Sequence, residues 1–137
     1  MLSNFKSNAL AALTLATLAL EHATAELVFD SGESLSGDMN ITPNRGRMVG
    51  NNLLHSFLDF NVRATESATF TGPSNIQNIV ARVTGQNTTT IEGTLRSSVP
   101  DADLFLLNPN GIIFGPGASL DVSGTLFAST APRLIFK

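Results

Sequence analysis

The chain contains no cysteine among its 137 residues. Proteins that leave the cytoplasm often rely on disulfides for stability, above all when their hydrophobic cores are small. A chain without cysteine has to be stabilised by burial of apolar side chains and by backbone hydrogen bonds alone.

Charged residues are also scarce, at 14% of the chain. The 8 Lys and Arg residues and 11 Asp and Glu residues give a net charge of −3, and the basic residues are dispersed along the sequence. Without a basic cluster, nucleic-acid binding is unsupported. A chain rich in Ser, Thr, Asn and Gly is typical of extracellular β structure and argues against an amphipathic helical bundle.

Long apolar runs are missing apart from one near the start. Residues 9–20 form an apolar run of twelve residues, whereas a membrane-spanning helix needs about 20. A lysine before this run and an Ala-x-Ala sequence at positions 23–25 complete the pattern of a secretory signal peptide. We therefore predict that residues 1–25 are a signal peptide and that residues 26–137 form one domain.

The strongest turn signal follows the apolar residues 104–107. Proline fixes φ, and an Asn-Gly pair readily adopts the positive φ values of tight turns. Similar turn sequences recur every few residues, for example Gly72-Pro73, Glu92-Gly93 and Ser123-Gly124. This spacing predicts a solenoid of short strands and corners. The signal itself reads Asn108-Pro109-Asn110-Gly111-Ile112.

Alternating apolar residues predict individual strands. We expect Phe57 to face one side of a strand and Leu58 and Phe60 to face the other, and Ala68 and Phe70 to form the apolar side of the next strand. Residues 76–83 have apolar positions at helical spacing, but a proline and a glycine bound this β-branched segment. We favour a strand there.

A faint internal repeat supports the solenoid. Residues 91–95 (IEGTL) are similar to residues 122–126 (VSGTL), at an offset of 31 residues. Stacking of these two corners would place Leu95 and Leu126 inside the coil. Residues 133–137 read as a strand without a polar cap, so we expect the solenoid to be truncated at its C-terminus.

Several segments occur together in one known family. They are HSFLDFNV, ATF, NIVARVTG, IEGTL and LNPNGIIFG, which begin at His55, Ala68, Asn78, Ile91 and Leu107. Together they resemble the filamentous haemagglutinin N-terminal domain, which is the secretion domain of two-partner secretion exoproteins of Gram-negative bacteria. The resemblance extends over about residues 28–130.

This resemblance implies an all-β fold, a right-handed parallel β-helix with an N-terminal cap. It also implies recognition in the periplasm by an outer-membrane transporter with polypeptide-transport-associated domains, followed by export and folding at the cell surface. A chain without cysteine suits this route, because no crosslink can block its passage through a pore. Host-cell or surface ligands would be bound by downstream repeats that are missing here.

The family has two Asn-Pro motifs. The second matches Asn108, Pro109, Asn110, Gly111 and Ile112. The first is degraded here to Pro73-Ser74-Asn75-Ile76, which lacks the leading Asn-Pro pair. Residues 108–112 can serve as a structural corner, as a contact for the transporter, or as both, since turn chemistry alone explains the residue types.

Two groups of residues are candidates for a catalytic or metal site. His55 and Asp59 lie four residues apart, a spacing that does not converge on a strand, and we expect a partly buried histidine bonded to backbone. Asp101, Asp103 and Asp121 could form the carboxylate pair of a β-helix glycosidase or lyase, with Asp101 and Asp103 on one strand face. We predict no catalytic site, metal or cofactor. The alternative function is a stand-alone adhesion or carbohydrate-binding β-helix module.

Overall fold

The computed structural model describes residues 26–136, so the predicted signal peptide lies outside the described residues. These residues form thirteen β-strands and one short 3-10 helix at Pro43–Arg45. The strands are β1 (Leu27–Phe29), β2 (Ser34–Leu35), β3 (Asp38–Ile41), β4 (Arg47–Val49), β5 (Asn52–Phe60), β6 (Ser67–Phe70), β7 (Asn78–Val83), β8 (Thr89–Ile91), β9 (Thr94–Ser97), β10 (Asp103–Leu107), β11 (Ile112–Phe114), β12 (Ser119–Val122) and β13 (Leu126–Ser129).

The strands coil into a parallel β-helix, as predicted. One sheet stacks β5, β7, β10 and β13, a second stacks β3, β6, β9 and β12, and a third pairs β8 with β11. Every pair within these stacks is parallel. The chain therefore visits the sheets in turn and advances by one strand in each coil. Parallel crossovers strongly prefer the right hand, so the right-handed coil stays a prediction.

An antiparallel cap covers the first coil, which confirms the predicted N-terminal cap. Strands β1 and β4 both pair antiparallel with β5, and β1 pairs antiparallel with β2. These strands cover the edge of β5 that faces away from β7. An uncovered edge strand would offer unpaired backbone groups to other chains. The cap therefore covers the first sheet at this end of the solenoid, while β3 is the edge strand of the second sheet.

The core consists of inward side chains stacked from coil to coil. Leu53 pairs with Ile79 and Ile79 with Leu104, and each of these side chains is at most 1% exposed. Ala68 and Phe70 are fully buried, which confirms the alternation predicted there. Residues 78–83 are a strand rather than a helix, also as predicted.

The alternation predicted around Phe57 is wrong, because β5 contains a bulge. Val28 pairs with Asp59 and the next residue, Phe29, pairs with Phe57, so Leu58 is left without a partner on β1. An extra residue of this kind reverses the facing of the side chains that follow it. Phe57 and Phe60 both point into the core, with ring centroids 4.9 Å apart, while Leu58 is 40% exposed.

The 31-residue repeat does not correspond to a coil. Asn52 pairs with Asn78 and Asn78 with Asp103, so this sheet repeats after 26 and then 25 residues. Leu95 stacks on Leu120 in the second sheet, whereas Leu126 lies in the first sheet. The two similar segments therefore occupy different faces of the solenoid.

The end of the described chain is not a strand, contrary to the prediction for residues 133–137. Residues 130–136 follow β13 without regular structure and cross the outer face of the first sheet. Leu134 and Phe136 line a cavity there together with Val80 and Leu107. Val80 and Leu107 occupy outward positions on β7 and β10, yet they are buried because this segment covers them.

The bulge can be tested with two neighbouring alanine substitutions. Phe57→Ala should lower the free energy of unfolding by about 3–5 kcal/mol, because it empties a packed core position. Leu58→Ala is the matched control and should change the free energy by no more than about 0.5 kcal/mol. Denaturant unfolding of both variants measures the difference. Similar costs, or a larger cost for Leu58→Ala, would contradict the bulge.

Candidate functional site

Residues 108–111 form the corner between β10 and β11, where the chain passes from the first sheet to the third, and Ile112 is the first residue of β11. The N–H of Gly111 donates to the carbonyl of Asn108 at 3.0 Å and closes a four-residue turn. Proline at the second position and glycine at the fourth are typical of a type I turn. Gly111 has a φ of +113°, whereas Asn110 has no positive φ. The glycine therefore provides the unusual backbone conformation.

The side chain of Asn108 joins this corner to the preceding coil. It is completely buried. Its Nδ2 donates to the carbonyl of Asn87 and to Oγ1 of Thr89, each at 2.9 Å. Its Oδ1 accepts from the backbone N–H of Asn110 at 2.9 Å and from Nδ2 of Asn110 at 3.0 Å. Both N–H groups and both acceptor positions of the amide are used. No buried polar group of this side chain is therefore left without a partner, which would cost free energy.

The backbone of Asn108 extends these contacts to the following coil. Its N–H donates to the carbonyl of Ser129 at the end of β13, at 3.0 Å. One residue therefore contacts the coils before and after its own.

Asn110 adds a second link to the preceding coil. Its Nδ2 donates to the carbonyl of Gly85 at 2.8 Å, and its own carbonyl accepts from Oγ1 of Thr88 at 3.1 Å. Gly85 is itself tightly packed, because a Cβ there would lie 2.0 Å from the carbonyl oxygen of Leu58. No side chain fits at that position, so the acceptor for Asn110 is held in place by backbone contact.

The degraded first motif forms a turn at a different corner. The N–H of Ile76 donates to the carbonyl of Pro73 at 3.1 Å, between β6 and β7. Ser74 and Asn75 occupy the middle of this turn and are exposed, while Ile76 is buried. Within residues 26–136 the Asn75 side chain forms no hydrogen bond. The two motifs therefore share a turn but not the links between coils.

His55 and Asp59 do not form a pair. His55 is buried against Phe57 and Phe70, and neither ring nitrogen has a hydrogen-bond partner among the described residues. The expected bond to backbone is therefore not formed, although the backbone of Arg45 is close enough to raise the pKa of His55 slightly. Oδ1 of Asp59 instead accepts from Asn87 at 2.8 Å.

The three aspartates considered for glycoside chemistry are also separate. Asp101 lies in a turn with φ of +59°, outside β10, so it does not share a strand face with Asp103 as expected. Oδ1 of Asp103 accepts from the N–H of Thr125, and Oδ2 of Asp121 accepts from Arg96, each at 2.8 Å. Within residues 26–136 no group of His, Asp and Glu side chains could hold a metal ion.

Sequence comparison identifies the family. A family model of the TPS secretion domain, the domain of two-partner secretion, matches residues 25–137. The chain belongs to this family. Searches of curated proteins and of solved structures gave no match.

Family membership has consequences for export. TPS secretion domains are N-terminal modules of two-partner secretion exoproteins, which pass through the outer membrane of Gram-negative bacteria by means of a partner transporter. Among the described residues no helix is long and apolar enough to span a membrane.

Sequence reasoning did not find the partners of the corner. Gly85, Asn87, Thr88 and Thr89 supply the bonds to residues 108–111 from the preceding coil. These residues form one polar stretch that leads into β8, the strand with which β11 pairs. That stretch was visible in the sequence, but its distance from the corner, one coil, follows only from the register of the sheets.

Gly111 provides a direct test of the corner. Gly111→Val should lower the free energy of unfolding by at least ~1 kcal/mol, because β-branched residues tolerate positive φ poorly. Space is not the cause, since the nearest atom to an added Cβ is Cγ2 of Thr88 at 3.7 Å. Ile113→Val, at the exposed neighbouring strand position, is the control. An unchanged thermal midpoint for Gly111→Val would contradict the strained conformation.

His55 should make stability depend on pH. Burial lowers the pKa of His55 from 6.5 to about 4, with a smaller opposing effect of the Arg45 backbone. The unfolded chain therefore binds a proton more readily, and up to about 3 kcal/mol of stability should be lost as the pH falls from about 6.5 to about 4. Burial raises the pKa of Glu26, which acts in the opposite direction.

The control for this measurement is His55→Leu, which keeps an apolar volume and leaves Glu26 unchanged. Denaturant unfolding at several pH values should show a shallower loss of stability for His55→Leu than for the wild-type chain in this window. Parallel pH profiles would mean that His55 does not titrate with folding.

Proposed function

We propose that residues 26–137 act as a non-enzymatic secretion module that is recognised by a transporter with polypeptide-transport-associated domains and that nucleates β-helix folding at the cell surface. The observation that supports this proposal is the Asn108–Gly111 corner. Its hydrogen bonds fall into two groups, one local and one between coils, and each group suits one of the two tasks.

The local bonds can form before the solenoid exists. The bond from the N–H of Gly111 to Asn108 and the bond from the N–H of Asn110 to the Asn108 side chain span only three and two residues. Bonds across so few residues need no neighbouring coil, so the turn can persist in a chain that is otherwise extended. A transporter can therefore recognise this turn before the chain folds.

The bonds between coils suit nucleation. Asn108 and Asn110 bind residues of the preceding coil, and the N–H of Asn108 binds Ser129 of the following one. Once the turn has formed, its amide groups are placed to fix the register of the next strand. Parallel strands are slow to pair because the contacts are distant in sequence, so a preformed corner accelerates the step.

The positions of the carboxylates do not support the glycosidase alternative. Asp103 and Asp121, on different sheets, each accept a hydrogen bond within the fold. A glycosidase requires two carboxyl groups facing one another across a substrate cleft. The stand-alone adhesion alternative stays a prediction.

Export of corner variants tests the proposal. The chain is expressed with its two-partner transporter, and processed protein is measured in the periplasm and in the medium. Asn108→Ala and Asn110→Ala should reduce secretion while processing at the inner membrane continues, because each removes bonds from the corner. Asn75→Ala, at the corresponding position of the other turn, should be secreted like the wild-type chain.

A further variant separates recognition from nucleation. Thr89→Val keeps the local turn but removes the Oγ1 that Asn108 binds. It should refold more slowly than the wild-type protein after dilution from denaturant, while it still enters the transporter. Equal secretion of the wild-type chain and both asparagine variants, or secretion without the transporter, would overturn the proposed function.

A further inference from the structure

The corner contains the only Asn-Gly step in the 137 residues. Glycine has no side chain to hinder its backbone nitrogen, so in a flexible chain this nitrogen can approach the side-chain carbonyl of the preceding asparagine. We propose that Asn110 is a self-modification site, which converts to aspartate or isoaspartate while the chain is unfolded and which folding of the corner protects.

The reaction needs only water. The backbone nitrogen of Gly111 loses its proton and attacks Cγ of Asn110, so that an N–Cγ bond forms. The Cγ–Nδ2 bond then breaks, and Nδ2 takes up a proton and leaves as ammonia. Water opens the resulting five-membered imide at either carbonyl, giving aspartate or isoaspartate. The net change is asparagine plus water to acid plus ammonia, with no oxidation or reduction.

The folded corner restrains both reacting groups. The nitrogen that must attack is engaged, because the N–H of Gly111 donates to the Asn108 carbonyl at 3.0 Å. The leaving group is engaged as well, because Nδ2 of Asn110 donates to Gly85 at 2.8 Å and to Oδ1 of Asn108 at 3.0 Å. The attack therefore requires that the turn opens and that the side chain leaves both acceptors. The turn opens and closes readily in the unfolded chain, whereas the bond to Gly85 exists only in the folded chain and holds the turn closed there.

The conversion would also prevent the corner from closing correctly. An oxygen in place of Nδ2 would face the carbonyl of Gly85 and Oδ1 of Asn108, so two donor–acceptor contacts would become contacts between acceptors. Leaving such polar groups unpaired or opposed is costly. Isoaspartate would in addition lengthen the backbone inside a four-residue turn. The fraction of chains converted at Asn110 would thus increase with the time that the chain has remained unfolded.

Rates of deamidation test the protection directly. The purified chain is incubated folded in buffer and unfolded in guanidinium chloride at the same mildly alkaline pH, and conversion at Asn110 is followed by peptide mass spectrometry. We expect the unfolded chain to react at least about tenfold faster, because reaction in the folded chain requires local opening. Asn75, followed by isoleucine, is the internal control and should react slowly in both samples.

Two variants test the mechanism and its consequence. Gly111→Ala should slow the reaction of the unfolded chain, because a methyl group hinders the attacking nitrogen. Asn110→Asp should lower the thermal midpoint of the folded chain, whereas Asn75→Asp, at the same position of the other turn, should leave it nearly unchanged. Equal rates in folded and unfolded chains would overturn the protection, and equal midpoints for the two aspartate variants would overturn its structural consequence.

Discussion

The second half of the solenoid depends on one buried amide group. Asn108 lies at the end of β10, where the chain leaves the largest sheet, and its side chain is completely buried. An amide that loses one partner in such a place costs about 1–3 kcal/mol. Here the partners come from the preceding coil, from the turn itself and, through the backbone, from the following coil. The strands after this corner therefore have their register set by hydrogen bonds that a shift of one residue would break.

A parallel β-helix needs such fixed corners because its strands alone tolerate a shift of two residues, which keeps the same side chains inside. Each strand presents the same backbone pattern to its neighbours, and the apolar side chains repeat with a period of two. Corners resist sliding through close contact as well as through hydrogen bonds. At Gly85 the backbone approaches the Leu58 carbonyl so closely that no Cβ fits, and this glycine presents its own carbonyl to Asn110. The glycine that is fixed by its close contact with Leu58 thus provides the hydrogen-bond acceptor for Asn110 in the next coil.

The turn sequences were sufficient to predict a solenoid, because turns depend on local residue types. The cap was predicted from the family resemblance, since it depends on the pairing of β1 and β4 with β5. The facing of Phe57 and Leu58 could not be predicted, since a bulge is defined by the pairing of β5 with β1 and leaves no mark in an alternating sequence. The similarity of residues 91–95 and 122–126 was misleading for a related reason. The coil is defined by backbone register, and Leu95 and Leu126 belong to different sheets. The turn at Asn108 could be predicted from the sequence. Its hydrogen-bond partners could not, because they lie one coil away.

The residue types of the corner reflect two requirements that differ before and after folding. Under the proposed function, the turn has to form from local bonds before the chain folds, which favours asparagine and proline ahead of glycine. After folding, the same amide groups have to satisfy acceptors of a neighbouring coil, among them the carbonyl of Gly85. An aspartate at position 110 could support the first task, but its carboxylate could not donate to a carbonyl in the second. The need for a donor explains the asparagine at position 110, and the positive φ of its neighbour explains the glycine at position 111.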